Sequence, residues 1–157
     1  MLDITLITVG KLKSRELSSL ANDYIKRLKP FARLKVIEVE ALSFSEKNKV
    51  AAKNLEGERI MKILEKEEAN PKGAAVYLLA ERGINFNSSP DLAKWLNKKT
   101  PLILILGGAL GFSDTMYDNY PQISLSPLTF PHELARVVFL EQLYRSALII
   151  NDKEYHY

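Results

Sequence analysis

Leu102-Ile103-Leu104-Ile105-Leu106 is an unbroken apolar run, and Gly107-Gly108-Ala109-Leu110-Gly111 follows it directly. Five residues suit a strand, and a run apolar at every position predicts a strand buried on both faces. The glycines end it. Ala74 to Ala80 is a second such run, with Glu81-Arg82-Gly83 expected to turn after it. Strands covered on both faces belong to parallel sheets with helices on each side. The two runs therefore decide the fold class: α/β, with a mostly parallel sheet covered by helices.

The rest of the chain alternates in the same way. Leu2 to Val9 reads as a strand ended by Gly10. Ser14 caps a helix to about Lys29, where Pro30 stops it. Leu34 to Val39 is a strand, and Ser45 is expected to cap a helix from about Glu46 to Ala69. Pro71-Lys72-Gly73 breaks the chain there. Ser89-Pro90-Asp91 opens a short helix through Lys98, with proline at a tolerated first-turn position. Ser113 caps another to about Asn119, Gln122 to Leu125 is a short strand, and the last helix runs from Pro131 to about Ile150. With no repeat or linker, residues 1–157 read as a single domain, long enough for one full core.

Composition narrows the chemistry. The chain has no cysteine, which removes disulfides, a thiol nucleophile and any cysteine-ligated metal. His132 and His156 are its two histidines, so no metal site is expected. No apolar run approaches the ~20 residues of a membrane span. Met1 to Gly10 is too short and polar for a signal peptide, so a cytoplasmic protein with no membrane partner is expected. The net charge of +3 is unevenly spread. Between Lys11 and Lys35 eight basic residues face only Glu16 and Asp23. A basic face on a near-neutral body suits a polyanion, although scattered lysines also suit a merely solvated helix.

Ligands of open α/β sheets sit beyond the carboxyl ends of the strands. The loops after Leu79, Leu106 and Leu125 should therefore converge on one site. Gly107-Gly108-x-x-Gly111 lacks the G-x-G-x-x-G and ribose acid of a dinucleotide site, and the Gly-Lys-Ser/Thr of a P-loop. It reads either as a tight turn or as bare backbone open to a flat ligand such as adenine. The loop Ser126-Pro127-Leu128-Thr129-Phe130 lies between prolines that fix φ and pre-organise it. The last helix is apolar nearly all round, with Leu134, Val137, Val138, Phe139, Leu140, Leu143 and Leu148. Such a helix must be covered on several sides, which points to a subunit interface. Glu141 and Arg145 are spaced to pair, or Arg145 turns to substrate. His132 stands in the first turn. Tyr155-His156-Tyr157 is an unusual ending for a solubilising tail.

Taken together, these residues resemble a known family. Gly-Gly-x-x-Gly, then Leu-Ser-x-Leu-Thr-Phe-Pro-His, then Arg-Val-Val-x-x-Glu-Gln-Leu-Tyr-Arg and a terminal Tyr-His are similar to the ribosomal large-subunit pseudouridine N3 methyltransferases (RlmH) of the SPOUT class. Val9 to Lys13 and Glu56 to Ile60 match as well. The resemblance implies a C-terminal trefoil knot, a homodimer, and S-adenosylmethionine as cofactor. It implies methylation of N3 of pseudouridine 1915 in 23S rRNA of the assembled large subunit. By motif, the cofactor contacts fall at Leu79, Gly107, Leu125, Ser126, Pro127, Leu128, Thr129 and Phe130. His132 and Arg136 match substrate-side positions, and Arg145, Tyr155 and His156 match positions assigned here to catalysis. Arg145 would stabilise the N3 anion, and His156 or solvent would take its proton. Ala80, Ala109-Leu110 and Asp152-Lys153-Glu154 depart from the residues usual in the family. Two rival readings are a non-catalytic ribosome-binding module of the same fold and a nucleotide-binding α/β oxidoreductase.

Overall fold

In the computed structural model, which describes residues 1–66 and 73–154, five parallel strands make one sheet. In chain order the elements are β1 (Leu2–Val9), α1 (Arg15–Leu28), β2 (Ala32–Val39), α2 (Lys49–Leu64), β3 (Ala75–Asn85) and α3 (Ser89–Lys99). β4 (Leu102–Leu106), α4 (Asp114–Asn119), β5 (Gln122–Ser124) and α5 (His132–Ile150) follow. The strands lie in the order β2-β1-β4-β3-β5.

The sheet is an apolar wall with two cores. Alternate residues of a strand point to opposite faces. Leu102, Leu104 and Leu106 of β4 join Ile4 and Leu6 of β1 under α1, α3 and α5. Ile103 and Ile105 join Ile7 and Val9 under α2 and α4. All five residues of β4 are buried, as expected for the middle strand of a covered parallel sheet.

Local signals set most helix starts. The Ser14 side chain accepts the Leu17 N–H at 3.2 Å to cap α1, and Ser113 accepts the Met116 N–H at 3.3 Å to cap α4. Two starts differ from expectation. The α3 cap is Ser88, which accepts the Asp91 N–H, because Ser89 is already helical. Ser45 does not cap α2. Asn48 accepts the Ser45 N–H at 2.5 Å and closes a turn first, so the helix begins at Lys49. The expected end of α2 at Ala69 and the break at Pro71-Lys72 lie outside the described residues.

The largest correction is at β3. Glu81-Arg82-Gly83 does not end the strand. β3 pairs with β5 through Leu78 and Leu79, bulges, and pairs again through Ile84 and Asn85. The second contact holds the chain extended, where a local reading sees only a turn. Gly83 makes this possible, since its backbone lies directly on β5. A Cβ there would stand 2.4 Å from the Ile123 carbonyl carbon. Gly83→Ala should therefore force the two strands apart and cost at least about 2 kcal/mol, measured by urea unfolding.

The all-round apolar α5 is also covered differently from expectation. α1 and α3 flank it, and the sheet closes a third side. Phe139, Leu140, Leu143 and Ala147 are thereby fully buried within one chain. What remains is a narrower stripe, with Leu134 exposed and Val138, Glu141, Arg145 and Ile149 half-buried.

Candidate active site

The last residue of β4, Leu106, pairs with Leu79 of β3, and β5 pairs with β3 on both sides of its bulge, so the loops after β4 and β5 meet the bulge of β3. They enclose a cleft of about 880 Å³. Leu79 and Leu106 contribute apolar surface at the strand ends, the 107–112 loop forms one wall, and the 124–131 loop forms another. Leu79, Gly107, Leu125, Ser126, Leu128, Thr129 and Phe130 all line it. Pro127 belongs to the same loop but is not among the lining residues.

The glycine segment forms a turn at the edge of the cleft. The Gly111 N–H donates to the Gly108 carbonyl at 3.1 Å, and Gly111 has φ of +71°, so the segment is a tight turn. It also brings bare backbone to the cleft. A Cβ on Gly108 would stand 2.9 Å from Val9 Cγ1, so the loop can approach β1 this closely only as glycine.

Hydroxyls as well as prolines shape the 124–131 loop. Ser124 Oγ donates to the Ser126 carbonyl at 2.8 Å and accepts the Ser126 N–H at 3.2 Å. Ser126 Oγ then accepts the Leu128 N–H at 3.1 Å. Ser124 is 2% exposed, so this chain of bonds starts from a fixed point in the core.

The start of α5 closes the cleft. His132 lines it, half-buried, at the first position of the helix. Next to it, the Glu133 carboxylate accepts the Ser14 N–H at 3.1 Å and also the Lys13 N–H. These bonds, that of Ser14 foremost, hold its carboxyl below the usual glutamate range. Arg136 follows one turn later, only 7% exposed, with Nη1 donating to Glu38 Oε1 at 2.9 Å. It faces a small cavity behind Gly107 and does not line the main cleft.

Arg145 lies thirteen residues beyond His132, roughly 20 Å further along the helix at 1.5 Å per residue. It is not brought to the cleft of its own chain. Its Nε and Nη2 donate to Glu141 Oε1 at 3.0 and 2.7 Å. The other Glu141 oxygen accepts from Gln142, whose carbonyl accepts from Ser89 Oγ at 2.9 Å. Tyr155 and His156 lie outside the described residues.

The sequence reading missed Lys53, Arg82 and Tyr117, which line the far end of the cleft. The bulge carries Arg82 into it, and α2 brings Lys53 from a distant part of the chain. Arg82 had one local signal, its position directly after a strand that ends at the site. Among the described residues no cluster of three or more His, Cys, Asp or Glu is placed to hold a metal, and no helix is long and apolar enough to cross a membrane.

A parallel sheet with a glycine-walled cleft and no dinucleotide fingerprint defines a class, and comparison with known proteins gives it a name. The pattern of the family described as "Predicted SPOUT methyltransferase" matches residues 2–156, and the chain belongs to that family. This replaces the oxidoreductase alternative. Among its relatives, the chain is 37% identical to the ribosomal RNA large subunit methyltransferase H of Pelobacter propionicus, covering 98% of this chain and 99% of the relative. It is 35% identical to the protein of that name from Kosmotoga olearia, covering 99% and 100%. The one from Enterococcus faecalis is 37% identical, covering 98% of each.

Glu133 gives the site's assembly a measurable pH dependence. Its folded pKa is lowered from 4.5, so its contribution to stability is present above that value and is lost as pH falls through the folded pKa. Glu133→Gln should therefore be less stable than wild type at neutral pH. It should also show a flatter loss of stability below about pH 4.5, read from thermal melts across pH.

Proposed function

We propose that this protein uses S-adenosylmethionine to methylate N3 of pseudouridine 1915 in 23S rRNA of the large ribosomal subunit. The observation that carries this reading is the end-to-end match to relatives named as large-subunit rRNA methyltransferases, joined to a cleft lined by seven of the eight residues assigned to the cofactor.

The cleft suits that cofactor. Leu79, Leu106 and Leu125 offer apolar surface to a flat base, and the bare backbone around Gly107 offers donors and acceptors to its edge. When bound, the cofactor supplies a methyl group already activated on a sulfonium. The protein's work is then to exclude water, hold the nucleotide in line and manage one proton. The neutral N3–H must lose its proton as the N–C bond forms. Arg145 is assigned to stabilising the resulting anion, with His156 or solvent taking the proton. Tyr155 is assigned to stacking the base. His132 and Arg136 are assigned to the substrate side, His132 at the cleft and Arg136 behind it.

Arg145 lies far from its own cleft, which supports a homodimer in which it serves the other chain's site. The stripe of exposed Leu134 and half-buried Val138 and Ile149 beside it is the face we assign to that contact. The knot, the single domain over residues 1–157 and the cytoplasmic location belong to the same reading. The non-catalytic alternative draws on Ala80 and Ala109-Leu110. Those changes alter side chains and leave the bare backbone around Gly107 in place.

Two experiments test the reading. Gly107→Val sets a branched side chain at the cleft wall, where even a Cβ lies 3.3 Å from Phe112 Cζ. It should weaken S-adenosylhomocysteine binding by at least tenfold in calorimetry, about 1.4 kcal/mol, in a folded protein. Removing residues 155–157 should leave that binding within about twofold, since 1.4 kcal/mol is tenfold and no cofactor contact is assigned there. It should abolish transfer of tritiated methyl to large subunits that lack the modification. Equal transfer by the full and shortened chains would show that the tail is not catalytic. No transfer by either would remove the enzymatic reading.

A further inference from the structure

The cleft extends well past the residues assigned to the cofactor. Its far end is built from three separate elements: Lys53 of α2, Arg82 of the bulge in β3, and Tyr117 of α4. The Arg82 guanidinium carbon lies over the Tyr117 ring, 3.5 Å from its centroid. Phe112, 5% exposed, packs edge-on against the same ring, with centroids 5.7 Å apart at 84°. The platform under Arg82 is thus anchored in the core.

Two properties of these cations bear on what they can bind. First, neither Lys53 nor Arg82 has an ion-pair partner among the described residues. Arg27 and Arg33, in the basic segment, are each held by an acid at 2.8 Å, Asp23 and Asp3. Glu81 and Asp114 also line the cleft but form no ion pair with either cation. Second, both line the cleft, Arg82 exposed and Lys53 half-buried. A guanidinium stacked on one side keeps its in-plane N–H fork free, and that fork fits the oxygens of a phosphate.

We infer that Lys53, Arg82 and Tyr117 form a phosphodiester-binding subsite at the α2/α4 end of the cleft, which grips the RNA backbone beside the target nucleotide. This rests on the RNA methyltransferase reading above. Phosphate contacts fix register and orientation without reading sequence. That is what in-line transfer to a single base requires from the flanking strand.

The test compares wild type with Lys53→Ala/Arg82→Ala and with Tyr117→Phe, each checked for a normal thermal melt. A short single-stranded oligoribonucleotide is titrated by fluorescence anisotropy at several salt concentrations, and S-adenosylhomocysteine by calorimetry. The double variant should bind the oligonucleotide about tenfold more weakly at low salt, and its slope of log K against log salt should be shallower by about 1.4, as for two lost phosphate contacts on a single strand. Its affinity for S-adenosylhomocysteine should stay within about twofold, against the tenfold that a lost 1.4 kcal/mol contact would give. Tyr117→Phe, which keeps the ring, should match wild type. An unchanged oligonucleotide affinity and slope would overturn the subsite. Loss of S-adenosylhomocysteine binding with the RNA slope retained would assign the cations to the cofactor's carboxylate and overturn it too. Methyl transfer to unmodified large subunits is measured in parallel. Failure there in wild type, with the salt-slope effect intact, would remove the proposed reaction and leave the phosphate subsite standing.

Discussion

β4 is buried from Leu102 to Leu106, and everything else in the molecule depends on that burial. Each fully buried aliphatic side chain contributes about 2 kcal/mol, a large share of a domain's net stability. A strand apolar on both faces cannot have water on either side. Helices must therefore cover both, and chain crossing from one strand to the next over a face makes the strands parallel. Parallel strands end on the same side. The cleft is a geometric consequence of that common end.

The bulge of β3 and the ends of β4 and β5 provide only the floor and two walls. The third side is closed by α5, whose start is tied down by acid groups acting across long stretches of sequence. Glu133 bonds to the Lys13 and Ser14 backbone, and Glu38 at the end of β2 holds Arg136. Both contacts join the first quarter of the chain to the last helix. A cleft lined by loops needs this support, because loop backbone is held in place only by what packs around it.

Charge is divided in a similar way. The segment from Lys11 to Lys35 is the most basic in the sequence, yet Arg27 and Arg33 use their charge within the fold. Lys53 and Arg82 come from less basic surroundings and keep theirs for the cleft. In the proposed homodimer, Arg145 would likewise act at a distance from its own cleft, with the Ser89, Gln142 and Glu141 chain of hydrogen bonds holding it in place.

The sequence by itself determined the fold class, the order of elements and which loops line the cleft. Those features rest on local information: apolar runs at Ala74 to Ala80 and Leu102 to Leu106, hydroxyl caps at Ser14 and Ser113, and glycines where strands end. Only the tertiary structure decided that β3 continues through Glu81-Arg82-Gly83, because pairing with β5 outweighs a local turn signal. It alone decided that α1, α3 and the sheet cover most of α5, since a helical wheel shows what must be buried but not by what. It alone brought Tyr117 under Arg82 and Lys53 into the same cleft. Their meeting depends on how α2 and α4 pack across one face of the sheet, and no spacing along the chain encodes a distance between elements so far apart.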